Sequence, residues 1–135
     1  MSKQKSFEKT IVEVGRKVTV VKKQPKSLLF PKRGDLVSIH YKMTAVSSNT
    51  IIDDTWDKGL PLSFRVGHAE VIQGLDEAIL TMCLGERAKL NIASRFAFGT
   101  SGLGRYVPPN TDVFVDVELV MVNDIKRPFF KRKLM

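Results

Sequence analysis

The sequence predicts an α+β domain: a half-open antiparallel β-sheet of about five strands wrapped around one short amphipathic helix. Three observations point there. Four segments alternate apolar and polar residues with a period of two. A single run, Leu75, Ala78, Ile79 and Met82, recurs at helical spacing. The connections suit antiparallel neighbours, and nothing except that helix is available to cover the concave face of a sheet.

Residues 1–15 read as flexible or as a loose edge strand. Lys17–Lys23 is β-branched and punctuated by charge, which predicts an edge strand ended by Pro25. Phe30-Pro31-Lys32-Arg33-Gly34-Asp35 is a turn into the next strand. There Val37, Ile39, Tyr41 and Met43 share one face, and Ser38, His40 and Lys42 the other. Residues 44–50 form a Ser/Asn/Thr loop. Leu62, Phe64 and Val66 oppose Ser63 and Arg65 in a further strand, closed by Gly67. The helix covers 74–83, with Asp76 and Glu77 in its first turn, where negative charge suits the dipole, and Gly85 as its stop. Ala88, Leu90 and Ile92 mark the next strand. Residues 94–112 are a long Gly/Ser/Pro-rich loop, a length that is usually functional or disordered. Val113 to Val122 closes the sheet, with Val113, Val115, Val117, Leu119 and Met121 opposite Asp116 and Glu118.

One domain, 16–124, is expected between a flexible basic segment, 1–15, and a basic tail or linker, 125–135. A chain of 135 residues buries roughly two thirds of its unfolded surface and needs no staples. Cys83 is the one cysteine, which favours a reducing compartment, and residues 1–6 lead into no apolar run of the secretory kind. A cytoplasmic or nuclear location is expected, with no membrane span. The net charge of +8 conceals a division: residues 1–33 carry ten Lys/Arg and two Glu, residues 34–124 seven Lys/Arg and twelve Asp/Glu, and residues 125–135 five Lys/Arg and no acid. A nucleic-acid-binding fold carries its positive charge on a folded face, so the basic ends read as solvated flanks. The stretch Lys126-Arg127-Pro128-Phe129-Phe130-Lys131-Arg132-Lys133 also has the composition of a nuclear-import signal or an anionic-surface contact. His40 falls on a polar face and His68 in a turn, neither beside a Cys or His at metal spacing, so no metal site is expected. Cys83 reads as a small buried hydrophobe, and no Gly-x-Ser-x-Gly stretch suggests a hydrolase.

Eight fragments stand in one order: the Phe30–Asp35 turn, His40-Tyr41, Asp53, Glu70-Val71-Ile72-Gln73-Gly74, Gly85-Glu86-Arg87-Ala88, Phe98-Gly99, Pro108-Pro109 and Asp116-Val117-Glu118-Leu119. With these the chain resembles an FKBP-type peptidyl-prolyl cis-trans isomerase domain over about Phe30 to Asn123. The resemblance implies a proline-accepting pocket between helix and sheet. Tyr41, Asp53, Ile72 and Phe98 take the catalytic positions. Ile52, Leu62, Phe64, Val71, Leu75, Tyr106, Val107 and Val115 take the substrate-binding ones. Leu75 stands at the floor, Val71 and Ile72 supply an apolar wall and a backbone N–H, and the long loop is a flap carrying Phe98 and Val107. Trp56, in a turn beside Asp53 and Asp57, is expected over the pocket rim or on a partner surface.

Several positions depart from that pattern. Ile52 stands for a phenylalanine, Leu75 for a tryptophan, Phe98 for a tyrosine, Val115 for a phenylalanine, and Leu62 for a residue that is often aromatic. Leu103 and Tyr106 also differ from common flap residues. The implied pocket is apolar, less aromatic and wider. The resemblance therefore implies a cofactor-free isomerase acting on X–Pro bonds in protein segments, with weakened activity. It implies weak macrolide binding and, if the chain is a fragment, a chaperone partner. Its alternative is a catalytically silent interaction module of a co-chaperone or scaffold.

Overall fold

The computed structural model describes residues 10–14, 18–20 and 29–127. The elements in chain order are β1 (Thr10–Val14), β2 (Val18–Val20), β3 (Leu36–Ala45), β4 (Thr50–Asp54), α1 (Thr55–Lys58), β5 (Leu62–Arg65), α2 (Gln73–Ile79), β6 (Arg87–Ile92), β7 (Val113–Val122) and β8 (Ile125–Lys126). The sheet runs β2-β1-β6-β7-β3-β4, with β5 also on β3 and β8 on β7. Every pairing is antiparallel except β1 with β6, which is parallel. That exception falls in the segment read as flexible or as a loose edge strand. A strand joined to its neighbour by most of the chain is under no hairpin constraint on direction.

The sheet is built on the long pair β3 and β7, whose register runs from Val37↔Val122 to Ala45↔Val113 with one shift at Ser38/Ile39. Alternation puts Val37, Ile39, Tyr41, Met43, Val113, Val115, Val117 and Leu119 on the inner face, all buried. Leu75, Ala78 and Ile79 of α2, with Met82 beyond its end, close that face as one core. The helix is shorter than its periodicity implied: Gln73–Ile79 is regular, and Thr81 and Met82 follow in a turn bonded to Ala78 and Ile79. It enters tightly against the sheet at Gly74, where a Cβ would stand 2.5 Å from Ile92 Cγ2.

Two elements were not legible beforehand. β4 begins at Thr50, at the end of the Ser/Asn/Thr loop, and α1 follows it directly. Neither shows clean alternation, because β4 holds two adjacent apolar residues and two adjacent acids and is bulged against β3 at Met43/Thr44. β4 and β5 share one side of β3, β5 along Leu36–Ile39 and β4 along Lys42–Ala45. The gap between them is filled by α1. Asp54 caps α1 by accepting from the Asp57 N–H, and Gly59 ends it in the left-handed region. Of the expected strand Lys17–Lys23, Val18–Val20 is described and the rest lies outside the described residues, as do residues 1–9 and 128–135 of the basic ends.

Candidate functional site

Between α2, the inner face of β3, and the β4 edge lies a cavity of about 540 Å³, within the size range of small-ligand sites. It is lined by Tyr41, Met43, Ile52, Asp53, Leu62, Ala69, Glu70, Val71, Ile72, Leu75, Phe98 and Leu103. Ten of these present apolar bodies, and the two carboxylates belong to Asp53 and Glu70.

Tyr41 is placed by a side chain rather than by a strand partner. Opposite it β3 faces the gap between β5 and β4, so its backbone has no ladder mate on that side. The Thr55 hydroxyl supplies one: it accepts from the Tyr41 N–H at 2.7 Å and donates to the Tyr41 carbonyl at 3.3 Å. His40 Nδ1 lies 2.8 Å from the same hydroxyl. Tyr41 in turn donates its hydroxyl to Asp53 Oδ2 at 2.5 Å. Asp53 Oδ1 receives Lys58 Nζ at 2.7 Å and the Asp54 N–H at 3.0 Å. Partial burial opposes the Asp53 charge, but the Lys58 ammonium, the Tyr41 hydroxyl and the Asp54 amide outweigh it, and its carboxyl sits below the usual range. Tyr41 moves the other way, chiefly through burial and then through the hydrogen bond and charge of Asp53, so its phenol stays protonated. The pair is a neutral donor locked onto a fixed carboxylate, not a proton-transfer couple.

The wall opposite is the segment from Gly67 to Ile72. Its turn passes through the left-handed region at Gly67 and Ala69. Asp76, on the first turn of α2 and only 7% exposed, ties it down: Oδ1 accepts from Gly67 N–H at 2.7 Å and Oδ2 from Ala69 N–H at 3.2 Å. Ile72 is the residue preceding the helix, and its carbonyl accepts from the Leu75 and Asp76 amides. Its own N–H makes no hydrogen bond to another described residue, which leaves a donor at the cavity wall. Leu75, 1% exposed, is the floor.

The flap runs from Ser94 to Asp112. It opens with a 3₁₀ turn at Ser94–Phe96 and is closed on itself by the Leu103↔Val107 bridge. Gly102 is obligatory there, since its φ is +68° and a Cβ would stand 2.2 Å from the Val107 carbonyl oxygen. Phe98 and Leu103 reach the cavity from this loop.

The structure thus brings together eight of the twelve residues singled out in the sequence: Tyr41, Ile52, Asp53, Leu62, Val71, Ile72, Leu75 and Phe98. Four do not border the cavity. Phe64 and Val115 belong to the buried core beneath it, Phe64 paired with Val37 and Val115 with Met43 and Leu90. Alternation identifies a face but not which of its residues border the cavity, and these two are buried in the core cluster instead. Val107 is buried inside the flap, and Tyr106, 59% exposed, points away on its surface. Trp56 is also off the rim: it lies against the outer face of the sheet, stacked on His40 at 5.7 Å with the Arg87 guanidinium 4.6 Å from its ring centre. Arg87 is held there by Asp116, at 2.9 and 3.1 Å. Met43, Ala69 and Glu70 were missed as lining residues, and Leu103 had been named only as a divergent flap residue. Met43 follows Tyr41 on the same strand face and was recoverable from alternation. Ala69 depends on a positive φ that its residue type does not announce.

Among the described residues no group of three or more His, Cys, Asp or Glu is disposed to hold a metal ion, and no helix is long and apolar enough to cross a membrane.

Residues 29–120 match the family model described as FKBP-type peptidyl-prolyl cis-trans isomerase. FK506-binding protein 2 of Kluyveromyces lactis is 40% identical over 95 residues, covering 70% of this chain and 66% of the relative. Peptidyl-prolyl cis-trans isomerase FPR2 of Saccharomyces cerevisiae is 40% identical over 89 residues, covering 66% of each chain. The chain thus spans just under two thirds of the length of these two relatives. Among solved structures, FkpA from Escherichia coli superposes with a TM-score of 0.64 at 34% identity, over 71% of this chain and 43% of that one.

Proposed function

The chain belongs to the FKBP-type peptidyl-prolyl cis-trans isomerase family, and on that premise we propose that its cavity accelerates cis–trans exchange of X–Pro bonds in protein segments, more slowly than an aromatic-walled pocket would. The observation that carries the reading is a single one. An apolar cavity of about 540 Å³ has the Tyr41–Asp53 pair on one wall and, on another, the Ile72 N–H, which no other described residue accepts from.

Such a site needs no nucleophile and no cofactor. Rotation about the amide faces a barrier of about 18–20 kcal/mol because the C–N bond has partial double-bond character. At the twisted midpoint that resonance is lost and the carbonyl is less dipolar. A cavity that removes water from the amide therefore favours the twisted form over the planar ones. The Ile72 N–H holds a carbonyl of the substrate while the remainder turns. Leu75 supports the ring from below, and Ile52, Leu62 and Phe98 flank it. Tyr41, kept protonated and oriented by Asp53, presents a fixed edge to it.

The reduced rate follows from the walls. An aromatic contact contributes about 0.5–1.5 kcal/mol beyond its area, and Ile52 and Leu75 border the cavity where the family pattern has aromatic rings. If both act on the twisted state, about one to two decades of rate are lost. The same departures argue for weak macrolide binding, since a bulky apolar ligand rests on those walls. Nothing in the cavity or among the relatives favours the alternative of a silent interaction module.

The test is a proline-isomerisation assay on the full chain, with and without a macrolide. Catalysed exchange that the macrolide inhibits only at high concentration is expected. A rate equal to the uncatalysed one at high protein concentration overturns the proposal.

A further inference from the structure

Glu70 lines the cavity, yet among the described residues no cation pairs with it. Asp53, the other lining carboxylate, is neutralised by Lys58 at 2.7 Å. Glu70 is held instead by a neutral group, its Oε1 accepting from the backbone N–H of Arg65 at 3.0 Å. The Arg65 guanidinium is turned elsewhere, donating to the Gly34 carbonyl at 3.1 Å. Among the described residues no Lys or Arg stands within ion-pair distance of Glu70, and no basic residue lines the cavity. Among the described residues the Glu70 carboxylate is therefore held by a backbone amide and meets no cation at the mouth of the pocket. The surrounding fold adds to its charge, since residues 34–124 carry seven Lys/Arg against twelve Asp/Glu.

We propose that Glu70 sets a substrate preference: among X–Pro segments, this site favours those with Lys or Arg beside the proline and disfavours those with Asp or Glu there. The inference rests on the isomerase reading above and adds a substrate class to it. The physical reason is simple. The proline ring occupies the apolar cavity, and the neighbouring side chain emerges at the mouth, where Glu70 is the nearest unpaired charge. An acidic neighbour is repelled and finds no basic lining residue to offset that. Because the mouth is open to solvent, the effect is that of an exposed charge pair, so it is modest and weakened by salt.

The experiment uses the full chain and three peptides that differ only in the residue before proline: Lys, Leu or Glu. Isomerisation is read by magnetisation exchange, which needs no coupled protease, at about 20 mM and about 500 mM salt. At low salt kcat/KM for the Lys peptide is expected to exceed that for the Glu peptide by roughly threefold to tenfold, with the advantage shrinking at high salt. Glu70→Gln keeps a carbonyl to accept from the Arg65 amide and removes only the charge. It is expected to bring the Lys-to-Glu ratio to within about twofold, each rate being taken relative to the Leu peptide on the same variant. Glu70→Ala, checked by thermal melting, should do the same. Equal rates for the Lys and Glu peptides in the unmodified chain overturn the proposal, as does a preference that survives Glu70→Gln. If even the Leu peptide is not accelerated, the isomerase reading fails on its own. Binding of the same three peptides, followed by fluorescence anisotropy, then decides the preference separately, and equal affinities overturn it.

Discussion

The Thr55 hydroxyl closes the backbone of Tyr41, accepting from its N–H at 2.7 Å and donating to its carbonyl at 3.3 Å. One side chain does there what a strand does elsewhere along β3. Thr55→Val keeps the shape and removes the hydroxyl. The Tyr41 N–H is then buried without an acceptor, which costs about 1–3 kcal/mol. Chemical denaturation is expected to show that loss, together with a weaker isomerase because the Tyr41 ring is no longer fixed. Unchanged stability would show that water replaces the hydroxyl.

Tyr41 donates to Asp53 at 2.5 Å across the cavity edge. Tyr41→Phe keeps the ring and releases the carboxylate to Lys58 and solvent. Because Asp53 is only partly buried and keeps Lys58 as a partner, the stability loss should stay near or below about 1 kcal/mol. kcat/KM should fall by less than about tenfold, since the apolar contact survives. A fall of a thousandfold would mean that the phenol takes part in chemistry that amide rotation does not require.

Acid should act through two carboxylates on opposite faces. Burial raises the cost of the Asp116 charge, but Arg87 and Lys89 outweigh it and hold its carboxyl below the usual range, as Lys58 and Tyr41 do for Asp53. A depressed native value binds fewer protons than the unfolded chain does. The stability it contributes is therefore complete above the unfolded value of about 3.9 and is lost as pH falls through the lower native value. Thermal melts should be flat in these two contributions from neutral pH to about pH 5 and should decline below about pH 4. Asp116→Asn should flatten part of that decline. An identical acid limb in the variant would assign the effect to other groups.

Gly74→Ala trades a helix gain of about 1 kcal/mol for a collision. The added Cβ would stand 2.5 Å from Ile92 Cγ2, a fully buried β-branched methyl with no rotamer to spare. The net effect expected is a loss of about 1–3 kcal/mol. A shift of the adjacent Ile72 amide should accompany it, visible in its chemical shift. A stabilised variant would show that α2 slides freely on the sheet.

Leu75→Trp restores an aromatic floor where a cavity of about 540 Å³ leaves room above it. One aromatic contact is expected to raise kcat/KM by roughly twofold to tenfold, and macrolide affinity by a similar factor. A rate unchanged in a folded variant would remove the missing aromatics as the cause of slow turnover.

The strands with clean alternation were legible because period two is a property of adjacent residues. Val37, Ile39, Tyr41 and Met43 could be assigned to one face without knowing what lay above it. α2 was legible in its first turns and overextended at its end, where Met82 keeps helical spacing although the helix has stopped. β4 and α1 were not, since Thr50 to Lys58 mixes two isoleucines and a tryptophan with three acids and its conformation is set by what it fits against: the bulge at Met43/Thr44 and the Thr55–Tyr41 clasp.

By itself the sequence determined the class of fold, the inward faces, the apolar character of a site between helix and sheet, and the separation of basic ends from an acidic middle. Only the tertiary structure decided which inward residues border the cavity. It buried Phe64 and Val115 in the core, left Tyr106 exposed, and admitted Met43 and Glu70. The reason is geometric. Hydrophobic period is local along the chain, whereas the edge of a cavity is where a covering helix ends, and that depends on contacts such as Gly74 against Ile92 and Asp76 against Gly67 and Ala69, made between parts of the chain that no local pattern relates.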